Sequence, residues 1–255
     1  MRFAMLGSGS KGNATLIEAD GTRVLIDCGF ALGETEQRLA RLGVEAGSID
    51  AILVTHEHGD HLSGVGKLAR RHRIPVWMTH GSYAVWKDPD VPHSLRFSPH
   101  QSFDIGAIHV EPYPVPHDAR EPCQYVLSAA GLRLGVLSDS GHITPHMREV
   151  LSDCDGLMLE CNHDQEMLQN GPYPDMLKRR VGGQAGHLSN AQAAGMMRGY
   201  AFERLQHLVL THLSESNNTP ELARQAIVEA LGEDAERIVC AQQSQGLDWR
   251  ELVVG

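Results

Sequence analysis

The chain has 255 residues, enough for one large domain with a sizeable core, and no linker rich in Pro, Gly and Ser divides it. Aspartate and glutamate outnumber lysine and arginine by 32 to 22, so the chain lacks the overall basic charge of most nucleic-acid binders. We expect a single domain over residues 1–255, in which any nucleic-acid contact depends on local cations or on metal ions.

The chain shows no sign of export or of membrane insertion. Its start, MRFAMLGSGS, turns polar too early for a secretory signal, and no apolar run reaches the roughly 18 residues of a membrane span. The five cysteines are odd in number and form no C-x-x-C pair, which favours reduced thiols over disulfides. We therefore expect a cytoplasmic protein without a membrane partner, and the sequence leaves its oligomeric state open.

The first third of the chain reads as short strands interrupted by two helices. Apolar or alternating runs predict strands over residues 2–6, 14–19, 23–29 and 51–56. Apolar residues at helical spacing predict helices over residues 34–43 and 62–72. The strand over 51–56 leads directly into a histidine-rich segment.

The middle is rich in strands and the last third is mixed. Strands are predicted over residues 74–78, 108–115, 124–129, 133–139, 156–162 and 207–212. A helix over 189–201 begins with an S-x-x-Q capping pattern, and a helix over 219–231 begins with Thr219 followed by proline. This order of elements predicts an α/β protein in which two packed sheets carry helices on their outer faces.

The segment THEHGDH, residues 55–61, has the composition of a metal site. It holds three histidines and an aspartate within six residues, and imidazole and carboxylate ligands suit zinc, manganese or iron. On a tight loop, His56 and His58 can turn one way while Asp60 and His61 turn the other, so one segment can serve two metal ions. Three more candidate ligands each follow a predicted strand: His117, Asp139 and His212.

The order and spacing of these residues resemble the metallo-β-lactamase fold superfamily. The pattern consists of His-x-His-x-Asp-His over residues 56–61, followed by the three later candidates, and Asp27 in LIDCG matches its early aspartate. The resemblance implies a four-layer αββα sandwich. The implied ligands are His56, His58 and His117 for a first ion, Asp60, His61 and His212 for a second, and Asp139 as a bridge between them.

The same resemblance implies a hydrolytic mechanism with two divalent ions. Two ions about 3.5–4 Å apart can share a hydroxide and clamp the attacking and leaving oxygens of a phosphoryl group. Asp60 would also orient that hydroxide or accept its proton. Asp27 would fix a ligand by a hydrogen bond.

Four further segments are similar to a narrower group, the YycJ/WalJ-like subfamily. They are LGSGSKGNATLIE, ECNHD, GHLSNAQAA and LTHLSESNN. That subfamily is regarded as 5′-to-3′ DNA exonucleases linked to mismatch repair, related to ribonuclease Z and ribonuclease J. The chain has no room for the extra β-CASP domain of ribonuclease J and no long insertion like the tRNA-gripping arm of ribonuclease Z. The resemblance therefore implies a nuclease whose partner is a DNA end.

His187 differs from the predicted ligands because it precedes a helix rather than following a strand. In the ribonuclease Z group, a histidine at this position approaches the scissile phosphate, so the resemblance makes His187 a transition-state stabiliser or a general acid. Its place before a helix N-terminus favours the neutral ring, unless a carboxylate or the substrate phosphate compensates. A histidine at a helix end without a catalytic role is the alternative.

Other residues are candidates for substrate contacts. The Gly/Ser loop over 7–13 can cradle a phosphate with its N–H groups or be a simple flexible hairpin, and within it we select Ser10, Lys11 and Asn13. In ECNHD, Glu160 and His163 can support His187 or line the substrate entry, or they can belong to a plain turn at a strand end. Lys178 and Arg179 belong to the best local basic patch for a nucleic-acid backbone, residues 178–180.

Two other functions compete with the nuclease hypothesis. A hydrolase of small esters, thioesters or lactones can use the same two-metal core, and the charge of −10 suits it somewhat better. A non-hydrolytic redox or binding protein is the third reading, but no second cofactor motif supports it. A basic groove leading to the metal ions favours a nucleic-acid substrate, whereas a closed apolar pocket favours a small ester.

Overall fold

Two sheets of seven strands form the centre of the structure, a computed structural model that describes residues 1–198, 204–232 and 236–255. In spatial order the first sheet contains β14 (Leu247–Glu251), β1 (Arg2–Gly7), β2 (Ala14–Ala19), β3 (Thr22–Ile26), β4 (Ala51–Leu53), β5 (Val76–Thr79) and β6 (Ser94–Phe97). The second contains β13 (Ile238–Cys240), β12 (His207–Thr211), β11 (Gly156–Glu160), β10 (Leu132–Leu137), β9 (Cys123–Ala129), β8 (Ile108–Pro114) and β7 (Phe103–Ile105).

The α-helices connect these strands and cover the sheets. Within the described ranges they are α1 (Leu32–Arg41), α2 (Gly59–Leu62), α3 (Val65–His72), α4 (His80–Val85), α5 (Pro145–Leu151), α6 (Gln165–Asn170), α7 (Asp175–Val181), α8 (Asn190–Met197) and α9 (Pro220–Leu231). The predicted caps are present, since Ser189 accepts a hydrogen bond from the Gln192 N–H and Thr219 caps α9. The predicted helix over 62–72 is divided into α2 and α3. The last three residues of the predicted helix over 189–201 lie outside the described part of the chain.

Three separate apolar clusters lie between four layers. The central cluster joins the facing sides of the two sheets, with Ile17 and Met158 among its members. A second cluster packs α5, α8 and α9 on the outer face of the second sheet, and a third packs α1 and α3 on the outer face of the first. Leu16 belongs to the third cluster and Ile17 to the central one, as the two-residue period of a strand requires. The predicted αββα sandwich is confirmed.

The direction of the strands brings many strand ends to one edge of the sandwich. β3 to β6 run parallel in the first sheet, and β10 to β13 run parallel in the second. Parallel strands deliver the residues after their carboxyl ends to the same edge of a sheet. None of the described helices is long and apolar enough to cross a membrane.

The strands that lead to this edge end earlier than the sequence predicts. Strands predicted to end at Gly29, Asp139 and His212 end at Ile26, Leu137 and Thr211. The reason is the backbone, because Asp27, Asp139 and His212 adopt φ angles of 59°, 49° and 53°. An L-residue with such a left-handed φ cannot continue a strand, and the conformation carries strain of about 1–3 kcal/mol.

Candidate metal centre

The edge of the sandwich collects the polar residues that follow its strands. The side chains delivered there are Asp27 after β3, His56 after β4, His117 after β8, Asp139 after β10, Glu160 at the end of β11 and His212 after β12. The loop after β4 and the short helix α2 add His58, Asp60 and His61. All seven predicted metal ligands are therefore brought to one place.

A first group consists of His56, His58 and His117, whose ligand atoms all lie within 4.8 Å of one another. His117 donates from Nδ1 to the Gly186 carbonyl at 3.0 Å, so its Nε2 carries a free lone pair. This Nε2 lies 3.1 Å from His58 Nδ1. Burial lowers the pKa of both His56 and His117, so both rings are neutral and can act as ligands. This group offers three imidazole nitrogens to a cation.

His56 provides a direct test of whether a metal ion fits. The Thr55 hydroxyl donates to Asp27 Oδ2 at 2.8 Å, so it accepts from His56 Nδ1 at 2.9 Å. The opposite nitrogen, Nε2, is buried and has no hydrogen-bond partner in the described part of the chain. A buried nitrogen lone pair is costly when left without a partner, and a divalent cation among the three histidines supplies one. The residues of this group fit a metal ion.

A second group consists of Asp60, His61, Asp139 and His212, again within 4.8 Å of one another. Asp60 Oδ2 lies 3.3 Å from His212 Nε2 and 3.5 Å from His61 Nε2. Asp139 Oδ2 lies 3.2 Å from His61 Nε2, and Asp139 is fully enclosed between the two rings. Two carboxylates and two imidazoles form a donor set that suits zinc, manganese or iron.

Asp27 contacts the Nδ1 side of the His61 ring, whereas Asp60 and Asp139 lie on its Nε2 side. Oδ2 of Asp27 is 2.7 Å from His61 Nδ1, and its Oδ1 accepts the backbone N–H of Thr55 at 2.8 Å. The carboxylate therefore fixes the ring of His61 with Nε2 pointing toward Asp60 and Asp139. A hydrogen bond from a ligand histidine to Asp27 is what the resemblance implies for this residue.

Buried carboxylates hold protons on the histidines of the second group. Burial by itself lowers the pKa of His61, but Asp139, Asp27 and Asp60 outweigh it and hold that pKa well above its ordinary value. The pKa of His212 is raised to about 10 against the effect of burial, mainly by Asp139, Asp60 and Glu160. In the metal-free chain, protons thus supply the positive charge that the carboxylates need.

His187 and Glu160 form a third group with Asp139 and His212. Glu160 is fully buried, and its Oε1 lies 2.8 Å from His187 Nδ1 and 3.5 Å from His212 Nδ1. Its other oxygen, Oε2, accepts the backbone N–H groups of Ser140 and Leu188. Because both oxygens have hydrogen-bond donors, Glu160 is better suited to orient the two rings than to bind a cation.

Glu160 also favours a charged His187, although the neighbouring helix N-terminus favours the neutral ring. Burial lowers the pKa of His187, but the carboxylates of Glu160 and Asp139 outweigh burial and raise it above its ordinary value. The helix end that favours a neutral ring is thereby counteracted. His187 keeps part of its side chain exposed, together with His58 and Asp60, so these three residues face the open side of the centre.

The sequence interpretation missed Asp118, which follows His117 directly. Its Oδ1 lies 3.6 Å from His117 Nε2 and 3.9 Å from His58 Nε2, while its Oδ2 accepts from Arg180 Nε at 2.5 Å. The pair anchors the basic end of α7 beside the first group. The only sequence signal was the adjacent aspartate in PHDA, and nothing in the sequence shows that Arg180 would reach it.

The other two residues of the basic patch, Lys178 and Arg179, do not pair with Asp118. Lys178 donates to the Gln169 carbonyl at 2.8 Å, whereas Arg179 is exposed on the last turn of α7. Of the three predicted cations, Arg180 is the one that the structure joins to a residue beside the first group, through Asp118.

Most N–H groups of the Gly/Ser loop, predicted to cradle a phosphate or to form a simple hairpin, bond within the protein. The N–H groups of Gly9, Lys11 and Gly12 already bond to Asn13 Oδ1, Gln243 Oε1 and the Gly9 carbonyl. A loop whose N–H groups are satisfied internally has few donors left for an anion. Asn13 itself is buried, and its Nδ2 lies 3.1 Å from Nε2 of His61 in the second group.

The remaining predicted substrate contacts lie at different depths. Ser10 and Lys11 are exposed at the tip of the loop, where Lys11 pairs with Glu215 at 2.6 Å. His163 is 2% exposed, and burial lowers its pKa to about 4, so it is a neutral ring packed inside the fold. Its backbone bridges to Ser189 ahead of α8. The prediction that His163 lines the substrate entry does not fit this position.

Comparison with known proteins places the chain in a family. A family model described as a β-lactamase superfamily domain matches residues 22–213. Exodeoxyribonuclease YycJ of Bacillus anthracis is 34% identical over 237 residues, which cover 91% of this chain and 90% of that protein. The chain belongs to the YycJ/WalJ family of this superfamily. Exodeoxyribonuclease WalJ of Streptococcus pneumoniae, another member, is 32% identical over 240 residues, covering 91% and 88% of the two chains.

A solved structure supports the fold of this YycJ/WalJ family member. The metallo-β-lactamase fold protein YhfI of Bacillus subtilis superimposes with a TM-score of 0.72 at 17% identity, covering 95% of this chain and 96% of that one. At this level of identity the similarity concerns the fold alone. The predicted metallo-β-lactamase fold is confirmed.

We predict that cation binding releases protons. A histidine nitrogen must lose its proton before it binds a metal ion, and the pKa of about 10 keeps His212 protonated at pH 8. Calorimetric titration of the metal-free protein with manganese, in buffers of different ionisation heats, should show at least one proton released per chain. Apparent affinity should rise with pH toward 10. Binding without proton release would contradict the proposed state of His212.

We also predict that Gly29 is required by the site rather than by the strand before it. A Cβ at Gly29 would lie 1.9 Å from the Asp60 carbonyl oxygen, so Gly29→Ala must displace the segment that carries the cluster. We expect a loss of about 1–3 kcal/mol in the free energy of unfolding and less bound metal per chain. The matched control is Gly33→Ala in α1, where no atom lies within 4 Å of an added Cβ. If both variants keep their metal and stability, the contact is unimportant.

Proposed function

We propose that the chain is a metal-dependent nuclease that hydrolyses phosphodiester bonds from a DNA end in the 5′-to-3′ direction. The observation that carries the proposal is the pair of adjoining metal-capable groups in a chain of the YycJ/WalJ family. The relatives are exodeoxyribonucleases by name, and their similarity extends over nearly the whole chain.

In this proposal the two groups hold two divalent ions, zinc, manganese or iron. The ligands are His56, His58 and His117 for one ion, Asp60, His61 and His212 for the other, and Asp139 for both. Such ions supply Lewis-acid stabilisation of phosphoryl oxygens and lower the pKa of water.

Asp60 is suited to hold and orient the attacking water. Burial raises the pKa of its carboxyl group, but His61 and His212 outweigh burial and keep that pKa below its ordinary value. The carboxylate thus stays ionised and accepts hydrogen bonds, and it lies partly open to solvent where a water can reach it. Since a weakly basic carboxylate orients a proton donor better than it removes a proton, orientation is its main contribution.

His187 is suited to act on the leaving oxygen. Its Nδ1 is engaged by Glu160 at 2.8 Å, which leaves Nε2 to donate toward the open side of the centre. The carboxylates of Glu160 and Asp139 raise the pKa of His187, which favours the protonated ring. A donor at this position can stabilise charge on a phosphoryl oxygen or protonate the departing alkoxide. Glu160 acts here as a positioning residue.

Local cations lie near the centre although the chain as a whole is acidic. Lys87 and Arg120 line a cleft that also contains Asp118, and Asp118 pairs with Arg180 on the last turn of α7, which also carries Lys178 and Arg179. Local cations of this kind favour a polyanionic substrate over a neutral ester. The charge of −10 therefore does not argue against a nucleic acid.

The nuclease activity can be tested with 5′-phosphorylated duplex DNA and added manganese. We expect mononucleotides to be released from the 5′ end, at a rate abolished by a chelator. Turnover of small esters without DNA cleavage would instead establish the alternative hydrolase, and internal cutting would replace exonuclease by endonuclease activity. The Asp60→Asn variant is the negative control for a contaminating nuclease.

The roles of His187 and His212 separate when metal content is measured beside rate. We expect His212→Ala to lose about one metal ion per chain. We expect His187→Ala to keep both ions and to lose about 10²–10³-fold in kcat, because it removes a donor used in the transition state. The exposed His100→Ala is a matched histidine control that should change neither. Loss of metal from His187→Ala would show that the third group, and not the second, is the metal site.

Glu160→Gln tests the positioning role through pH dependence. Its amide keeps the shape of the side chain and removes the negative charge that raises the pKa of His187. Because a group with a raised pKa carries its proton only below that pKa, the high-pH limb of the kcat profile should move to lower pH in Glu160→Gln. An unchanged profile with unchanged kcat would exclude this role.

A further inference from the structure

A cleft of about 660 Å³ opens directly beside the metal centre. It begins at Gly59 and Asp118, which are the chain neighbours of His58 and His117, and it extends along the end of α4. Its volume lies within the range of small-molecule sites in proteins. None of the residues that line this cleft has a role in the hydrolytic step described above.

The carboxylates in the cleft wall are already engaged. Glu57 accepts the backbone N–H of Arg120 at 2.7 Å and the Ser82 hydroxyl at 3.2 Å. Asp88 forms a two-pronged pair with Arg70, with both distances at 2.8 Å. The third carboxylate, Asp118, accepts a hydrogen bond from Arg180 at the end of α7. Asp88 and Asp118 are therefore paired with arginines, whereas Glu57 accepts hydrogen bonds from neutral donors.

The two cations of the cleft are not balanced in the same way. Lys87 and Arg120 are both exposed, and neither forms an ion pair with any carboxylate in residues 1–198, 204–232 and 236–255. The remaining wall contains Ser63 and three large apolar side chains, of which Leu62 and Trp86 show only their edges and Val85 is 43% exposed. Unpaired cations beside an apolar wall match a ligand that carries phosphate and a flat, weakly polar ring system.

We propose that this cleft binds one nucleotide of the substrate next to the scissile phosphate. The base lies against Leu62, Val85 and Trp86, and Lys87 and Arg120 contact the adjoining phosphate. Contact between a base and apolar or aromatic side chains tolerates any sequence, which suits an enzyme that degrades DNA processively or stepwise. The proposal rests on the proposed nuclease function and names the subsite that holds the strand at that centre.

The first test removes the two cations. The double variant Lys87→Ala/Arg120→Ala should raise KM for a DNA end with a single-stranded overhang about tenfold or more, with a smaller effect on kcat. If both residues contact phosphates, the slope of log(kcat/KM) against log salt should become shallower by about 1.4, that is, about 0.7 for each contact on a single strand. Metal content is measured for each variant, so that a lost ion is not mistaken for lost substrate binding.

The matched control is Arg71→Ala, an exposed cation on α3 outside the cleft. It should leave KM and the salt slope at the wild-type values. Equal behaviour of the control and the double variant would overturn the proposal. If the wild-type protein cleaves no DNA at all, the nuclease function fails instead, so the two failures are distinguishable.

The second test concerns the base. A deoxynucleoside 5′-monophosphate should inhibit DNA cleavage at about tenfold lower concentration than deoxyribose 5-phosphate, which lacks the base. The advantage should shrink in Val85→Asp, because this exposed position can take a charge without disturbing the core. Equal inhibition by the two compounds would show that the cleft does not hold a base.

Discussion

The structure depends on negative charge that is buried at one edge of two packed sheets. Asp27, Asp139 and Glu160 are almost completely buried, and no described lysine or arginine pairs with them. A buried carboxylate is very unfavourable unless a positive charge or several donors compensate it. Histidines provide that compensation, either as protonated rings or as ligands of a cation. The site is therefore stable only when protons or metal ions occupy it, and this couples metal binding to pH.

The backbone around this charge is held in unusual conformations. Three of the residues in the centre, Asp27, Asp139 and His212, have positive φ angles, and glycine at 29 allows the chain to touch the cluster segment. Strained residues persist where surrounding contacts over-determine them. Here the contacts are backbone hydrogen bonds, such as Cys28 N–H to the His61 carbonyl and His212 N–H to the Ser8 hydroxyl. Geometry at the centre is thus set by the fold before any ion binds.

The sequence predicts which residues form the site better than it predicts the backbone geometry around them. The histidine cluster and the polar residues after strands are visible because burial and periodicity leave a clear pattern. The ends of the strands cannot be predicted in the same way, because a left-handed φ at Asp139 has no signature in a single sequence. Asp118 was missed because its role depends on Arg180, 62 residues away. The internal hydrogen bonds of the loop over 7–13 could not be predicted, because the partners of its N–H groups include Gln243, near the other end of the chain. The letters HLS occur three times, yet His61 and His212 belong to the second group while His187 faces the open side.

The central claim is that one edge of the sandwich holds two cations in two adjoining groups. Anomalous diffraction from crystals grown with manganese tests it most directly. The account predicts two peaks, one among His56, His58 and His117 and one among Asp60, His61 and His212, with Asp139 between them. A single peak, or a peak enclosed by Glu160 and His187 in place of the second, would contradict it.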